Sequence, residues 1–96
     1  MDNQNSILKI EVSGEMINLE LYKVNDLEII NREEWHNDGS TSEQLLTRID
    51  VFLGKNNIEV SELVKVETKI DENQKYTLAR IIEIIAKTMN YCLANK

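Results

Sequence analysis

The sequence predicts a two-layer α/β domain with element order β-β-β-α-β-α and both helices on one face of a four-stranded sheet. Three patterns carry this. Four short segments alternate apolar and polar residues, so nearly every strand has one dry face and one wet face. Two longer segments repeat apolar residues at helical spacing. The stretch between the third strand and the fourth is long enough for a crossover helix, and a right-handed crossover sets the fourth strand parallel to the first, in the spatial order 3-2-1-4. With one polar face per strand, two layers suffice and the far face of the sheet is open to water.

In the first strand, residues 7–12, Leu8, Ile10 and Val12 alternate with Lys9 and Glu11. Ser13-Gly14-Glu15 is a turn, since Gly14 can take positive φ. The second strand, 16–24, alternates Ile17, Leu19 and Leu21 with Asn18 and Glu20, closing a hairpin. Asn25-Asp26 turns the chain into a third strand, 27–35, with weaker alternation through Ile29, Ile30 and Arg32, and 36–39 is loop. Ser40 and Glu43 have the spacing of a capping box ahead of the helical stripe Leu45, Leu46, Ile49, Phe52 and Leu53. Gly54 stands where a glycine just past the C-terminus ends a helix. Polar residues 55–57 and an irregular approach, 58–63, lead to the fourth strand, 63–70. There Val64, Val66 and Ile70 face one way and Lys65, Glu67 and Lys69 the other. A polar loop, 71–75, precedes the last helix, 76–93.

Ninety-six residues make one small domain, 1–96, without a linker: there is no proline and there are three glycines. Seventeen acids against eleven bases leave a net charge of −6, which argues against an autonomous nucleic-acid binder. No apolar run is long enough to span a membrane, and the polar start, Met1 to Ser6, lacks the pattern of a secretory signal. A single cysteine permits no internal disulfide. These features predict a cytoplasmic protein.

The last helix carries more apolar surface than one contact needs. Leu78, Ile82, Ile85, Met89 and Cys92 form one stripe, while Ile81, Ile84 and Tyr91, with Thr88 among them, form an adjacent one. A helix lying on a sheet needs about 100° of apolar arc. The surplus either wedges between the sheet and the first helix or packs on another subunit, and a small domain gains particularly from association.

The chemistry-bearing residues make no catalytic constellation. His36, the sole histidine, has Glu33, Glu34 and Asp38 near it in sequence, but a solvated loop histidine is the simpler reading. Cys92, on the apolar side of its helix, reads as a buried structural thiol. One histidine and one cysteine cannot build the usual zinc sites. Glu11 and Glu20 lie on the wet faces of adjacent strands and could pair around magnesium, as in sheet-based nucleases. Lys9, Lys65 and Lys69 populate the same face, so a surface of charge pairs is simpler. Neither phosphate-loop pattern occurs. The expectation is a binding protein, not an enzyme, without cofactor or metal.

Several strings, taken in chain order, point to one family. Ile10-Glu11-Val12-Ser13 ends the first strand. Thr41-Ser42-Glu43-Gln44-Leu45-Leu46-Thr47-Arg48-Ile49-Asp50 opens the first helix, and Ser61-Glu62-Leu63 with Val64-Lys65-Val66 leads into the fourth strand. Tyr76-Thr77-Leu78-Ala79-Arg80-Ile81-Ile82 opens the last helix, with Ala86-Lys87 and Tyr91 behind it. Together these resemble the start of TsaB (YeaZ-type) proteins, the non-catalytic scaffold subunits of the bacterial machinery that makes threonylcarbamoyladenosine in tRNA. The family strings read Asp-Thr-Ser, then His-Ser-Glu and Leu-Leu-Pro-x-Ile-Asp, then Gly-Pro-Gly-Ser-Phe-Thr-Gly-Leu-Arg-Ile-Gly. Here Glu11 replaces the first-strand Asp, and Glu72-Asn73-Gln74-Lys75 replaces Gly-Pro-Gly-Ser. The sequence also stops before the family's fifth strand and second domain.

The resemblance implies a truncated actin/Hsp70-like (ribonuclease H-like) half-domain. The polar far face looks adapted to being short, since a sheet meant to be covered on both sides has inner strands apolar on both sides. The resemblance also implies association through the two helices, as a homodimer or as a heterodimer with a TsaD-type subunit, while the net charge of −6 argues against direct nucleic-acid contact. Leu45, Ile49, Ile81, Ile84, Thr88 and Tyr91 are the candidate interface, with Arg80 as a polar anchor. Two rival readings stand beside it: a self-associating structural or regulatory homodimer without a tRNA-modification role, and a small metal-dependent hydrolase using Glu11.

Overall fold

A computed structural model describes residues 6–25, 28–36, 42–71 and 76–95. The elements are β1 (Ser6–Ser13), β2 (Met16–Lys23), β3 (Ile29–His36), α1 (Ser42–Lys55), a 3-10 turn (Val60–Glu62), β4 (Leu63–Ile70) and α2 (Tyr76–Ala94). The sheet order is β3-β2-β1-β4; β1–β2 and β2–β3 are antiparallel, and β1–β4 is parallel. The expected order and topology are therefore present. Ser40 and Thr41 of the expected capping box, Asp26 and Leu27, residues 37–39 and residues 72–75 lie outside the described residues.

Alternation puts Leu8, Ile10 and Val12 opposite Leu21, Leu19 and Ile17 on one face of the hairpin. All six are essentially buried, in one cluster with Leu45, Ile49, Phe52 and Leu53 of α1 and Leu78, Ile82, Ile85, Ala86 and Met89 of α2. Both helices thus cover the same face. Gly14 takes φ +61° in the β1–β2 turn, as its position in the hairpin requires. β3, at the sheet edge, contributes only Trp35 to the core, and Arg48 of α1 stacks on its ring at 4.2 Å. That explains the weak alternation of this strand: Ile29 and Ile30 are exposed.

Four local expectations are corrected. Gly54 lies inside α1, and the left-handed residue is Asn57, at φ 57°. The Ile58 N–H donates to the Leu53 carbonyl and the Asn57 N–H to the Gly54 carbonyl, both at 3.0 Å, which is a Schellman ending with Asn57 past the cap. In β4, Leu63 pairs with Ser6 but Lys65 pairs with Ile7, so Val64 is an extra residue. The slip buries Leu63 completely and turns Val64 outward, at 39% exposure. His36 is the last residue of β3 rather than loop, and its Nε2 lies 3.0 Å from Glu15 Oε2 across the hairpin. Cys92 is exposed.

Candidate protein-interaction surface

The far face of the sheet is a lattice of paired polar groups. The Tyr22 hydroxyl, on β2, reaches over β1 and donates to Glu67 Oε1 on β4, while Lys65 Nζ lies 3.0 Å from Glu67 Oε2. The Tyr22 and Lys65 hydrogen bonds hold the Glu67 carboxyl below the usual carboxylate range. Burial, then the bond to Glu67 and its charge, pushes Tyr22 up to about 12. Ile7, between Tyr22 and Lys65 in the register, is buried beneath this bridge. Toward the other end, Glu11 accepts from Asn18 Nδ2 at 3.2 Å and lies 3.8 Å from Lys69 Nζ. Glu11 therefore sits among hydrogen-bonding and cationic partners. Among the described residues no three His, Cys, Asp or Glu side chains gather closely enough to hold a metal ion.

The helical side is different in kind. Along α2, Leu78, Ile82, Ile85 and Met89 point into the core, with Ala86 beside them. The adjacent stripe does not: Ile84 is 56% and Tyr91 70% exposed, and Thr88 between them is exposed as well. Spacings of four and three residues align these side chains as one strip along the helix. Thr88 also borders an open groove of about 220 Å³ between α1 and α2. Buried Ile49 and Met89 form its floor, while Leu46, Val60 and Cys92 rise around it as exposed or half-exposed walls. Asp50 brings the one charge to this lining. Strip and groove together make an apolar surface on the outer side of the two helices, the kind of contiguous patch that marks an interaction site.

Each candidate interface residue can now be placed. Ile84, Thr88 and Tyr91 lie on the exposed strip. Arg80 is exposed one turn before Ile84 and lines a shallow depression with it, Glu83 and Lys87. Ile81 is half-buried against the core edge. Ile49 lies at the groove floor, and Leu45, at 2% exposure, supports α1 from inside the core. Leu46 and Val60 were not among the candidates, although they frame the groove. Leu46 shares the helical stripe with Leu45 and Ile49, and spacing alone does not say which of that stripe stays exposed; Val60 precedes a strand whose register decides its direction.

No family model matches the chain, and no curated protein matches its sequence. Solved structures do match. YeaZ from Pseudomonas aeruginosa superposes with a TM-score of 0.76 at 13% identity, over 94% of this chain and 40% of the YeaZ chain. The fold is YeaZ-like. A second structure, described as an uncharacterized protein from Pseudomonas aeruginosa with similarity to peptidase YeaZ, matches with the same score, identity and coverage. The chain thus spans about two-fifths of the length of these YeaZ structures. Residues 42–50 and 76–82, within the strings that resemble the YeaZ-type family, fall on α1 and α2, the two helices that border the groove. Among the described residues no helix is long and apolar enough to cross a membrane.

Proposed function

We propose that this chain is a non-catalytic interaction module whose α1–α2 surface takes a protein partner. The observation that carries the reading is the exposed strip of Ile84, Thr88 and Tyr91 running alongside an apolar groove. Burying such side chains against a partner contributes roughly 1.5–3 kcal/mol for each large one fully covered. The YeaZ-like fold and the TsaB-like strings on both helices favour a TsaD-type subunit or a second copy as the partner. A place in tRNA threonylcarbamoyladenosine modification follows from that resemblance. With a net charge of −6, contact with tRNA would run through the partner.

The test is sedimentation of the chain alone over a wide concentration range, then mixed with a purified TsaD-type enzyme, for the native sequence and Ile84→Glu. A central anchor is worth about 2 kcal/mol or more, so association weakens about thirtyfold or more in the variant, with the circular dichroism unchanged. A monomer at every concentration that also ignores the enzyme would sink the proposal. A tight homodimer that excludes the enzyme would favour the rival reading, a self-associating protein without the tRNA-modification role.

A further inference from the structure

Among the described residues no strand lies beyond β4, so in the sheet β3-β2-β1-β4 it is an edge strand. In a strand, successive residues direct their N–H and C=O groups alternately to the two sides. The Asp71 N–H donates to the Val12 carbonyl at 2.9 Å, so odd-numbered residues at this end of β4 face β1, and Val66 and Thr68 face outward. Val66 does not face water. Its N–H donates to Asn90 Oδ1 at 2.8 Å, and its carbonyl accepts from Asn90 Nδ2 at 2.9 Å. A carboxamide has the same donor and acceptor pair as a peptide group. At Val66 the Asn90 side chain therefore makes the two bonds that one residue of an adjacent strand would make.

The surroundings show that this contact is seated. Asn90 is half-buried and follows Met89, a core residue, while Val66 is 4% exposed. Ala86, one turn earlier on α2, is buried, and this small residue fits the close approach of helix to strand. Edge strands pair readily with other chains unless something covers or interrupts them. We infer that Asn90 is an edge guard: its carboxamide occupies the strand-pairing groups of Val66 and closes the β4 edge to an extended segment of a second copy. The inference is independent of the helical surface, since it concerns a different side of the molecule.

Amide hydrogen exchange tests it. In the unmodified protein the Val66 amide exchanges slowly, while that of Thr68, outward and exposed, exchanges fast. In dilute Asn90→Ala, Val66 exchange accelerates about fivefold to tenfold, the factor set by the net contribution of one hydrogen bond, with the core amides of β1 unchanged. As the variant is concentrated, Val66 and Thr68 regain protection together while the sedimentation coefficient rises. Pairing through the helices leaves Thr68 untouched, so the two kinds of association are distinguishable. Asn90→Asp keeps the shape but loses the donor to the Val66 carbonyl, and it shows the same concentration-dependent protection of Thr68 should Asn90→Ala not fold. Val66 exchanging as fast as Thr68 in the unmodified protein would overturn the inference. So would variants whose β4 amides show no added protection at any concentration.

Discussion

Ile82 and Ile84 are two residues apart on α2, and a charge at each should have opposite consequences. Ile82 is 1% exposed within the core cluster, whereas Ile84 is 56% exposed. A glutamate at position 82 loses nearly the whole transfer free energy of the side chain, about 2–3 kcal/mol. It also forces an unpaired carboxyl into an apolar site, which costs at least a few kcal/mol more even after the group protonates. The sum, about 5 kcal/mol, is comparable with the whole stability of a small domain, about 5–15 kcal/mol. At position 84, where the residue is 56% exposed, less than half of that burial is at stake. That fraction of the same transfer term is about 1 kcal/mol, or roughly 4–8 °C in Tm. Urea unfolding followed by circular dichroism and by Trp35 fluorescence would measure both variants at a concentration where the native protein is monomeric. Ile82→Glu should be unfolded or nearly so without denaturant, and Ile84→Glu folded with a slightly lowered midpoint. Comparable losses at the two positions would refute the assignment of one stripe to the core and the other to the surface.

Three further outcomes follow from the structure. The Glu67 carboxyl is held low, so its contribution to stability is present above its unfolded pKa and is lost as pH falls through the folded value. Tyr22 is raised to about 12, so its contribution is present below about 10, its unfolded value, and is lost as pH rises through the folded one. Urea midpoints across pH should fall at both ends in the native protein, and Tyr22→Phe should flatten both limbs. Asn57 sits at φ 57°, so Asn57→Gly should leave the urea midpoint within a few tenths of a kcal/mol, while Asn57→Ala should lower stability by about 1 kcal/mol. Cys92 is exposed beside the groove, so a thiol reagent should label it fully in native buffer; labelling that requires denaturant would contradict its placement.

Much of the fold was legible because its cues are local. The alternation of Leu8, Ile10 and Val12, the matching run Ile17, Leu19 and Leu21, and the helical repeats of 45–53 and 78–89 each define an element and its dry face without reference to any neighbour. The handedness of crossovers then left one economical sheet order, the one observed. The apolar surplus of α2 was legible too, as a quantity, since Ile84 and Tyr91 exceed what one sheet contact can bury.

Tertiary structure decided everything that depends on a neighbour. Helical spacing put Ile82 and Ile85 on one stripe and Ile84 on the next, but an apolar residue reads alike whether it faces the sheet or water, so packing decided which stripe is core and left Cys92, at the end of the core stripe, exposed. One extra residue in β4 exchanged Leu63 for Val64, because a register slip reverses the faces of a strand and is set by hydrogen bonding to β1. Asn57, not Gly54, took the left-handed position, since both residue types tolerate it and the last turn of α1 fixed which one the chain used. Nothing in the helical spacing of α2 singled out Asn90. Its role appeared only when the end of α2 met the outward groups of Val66, a pairing between residues 24 apart that no local pattern encodes.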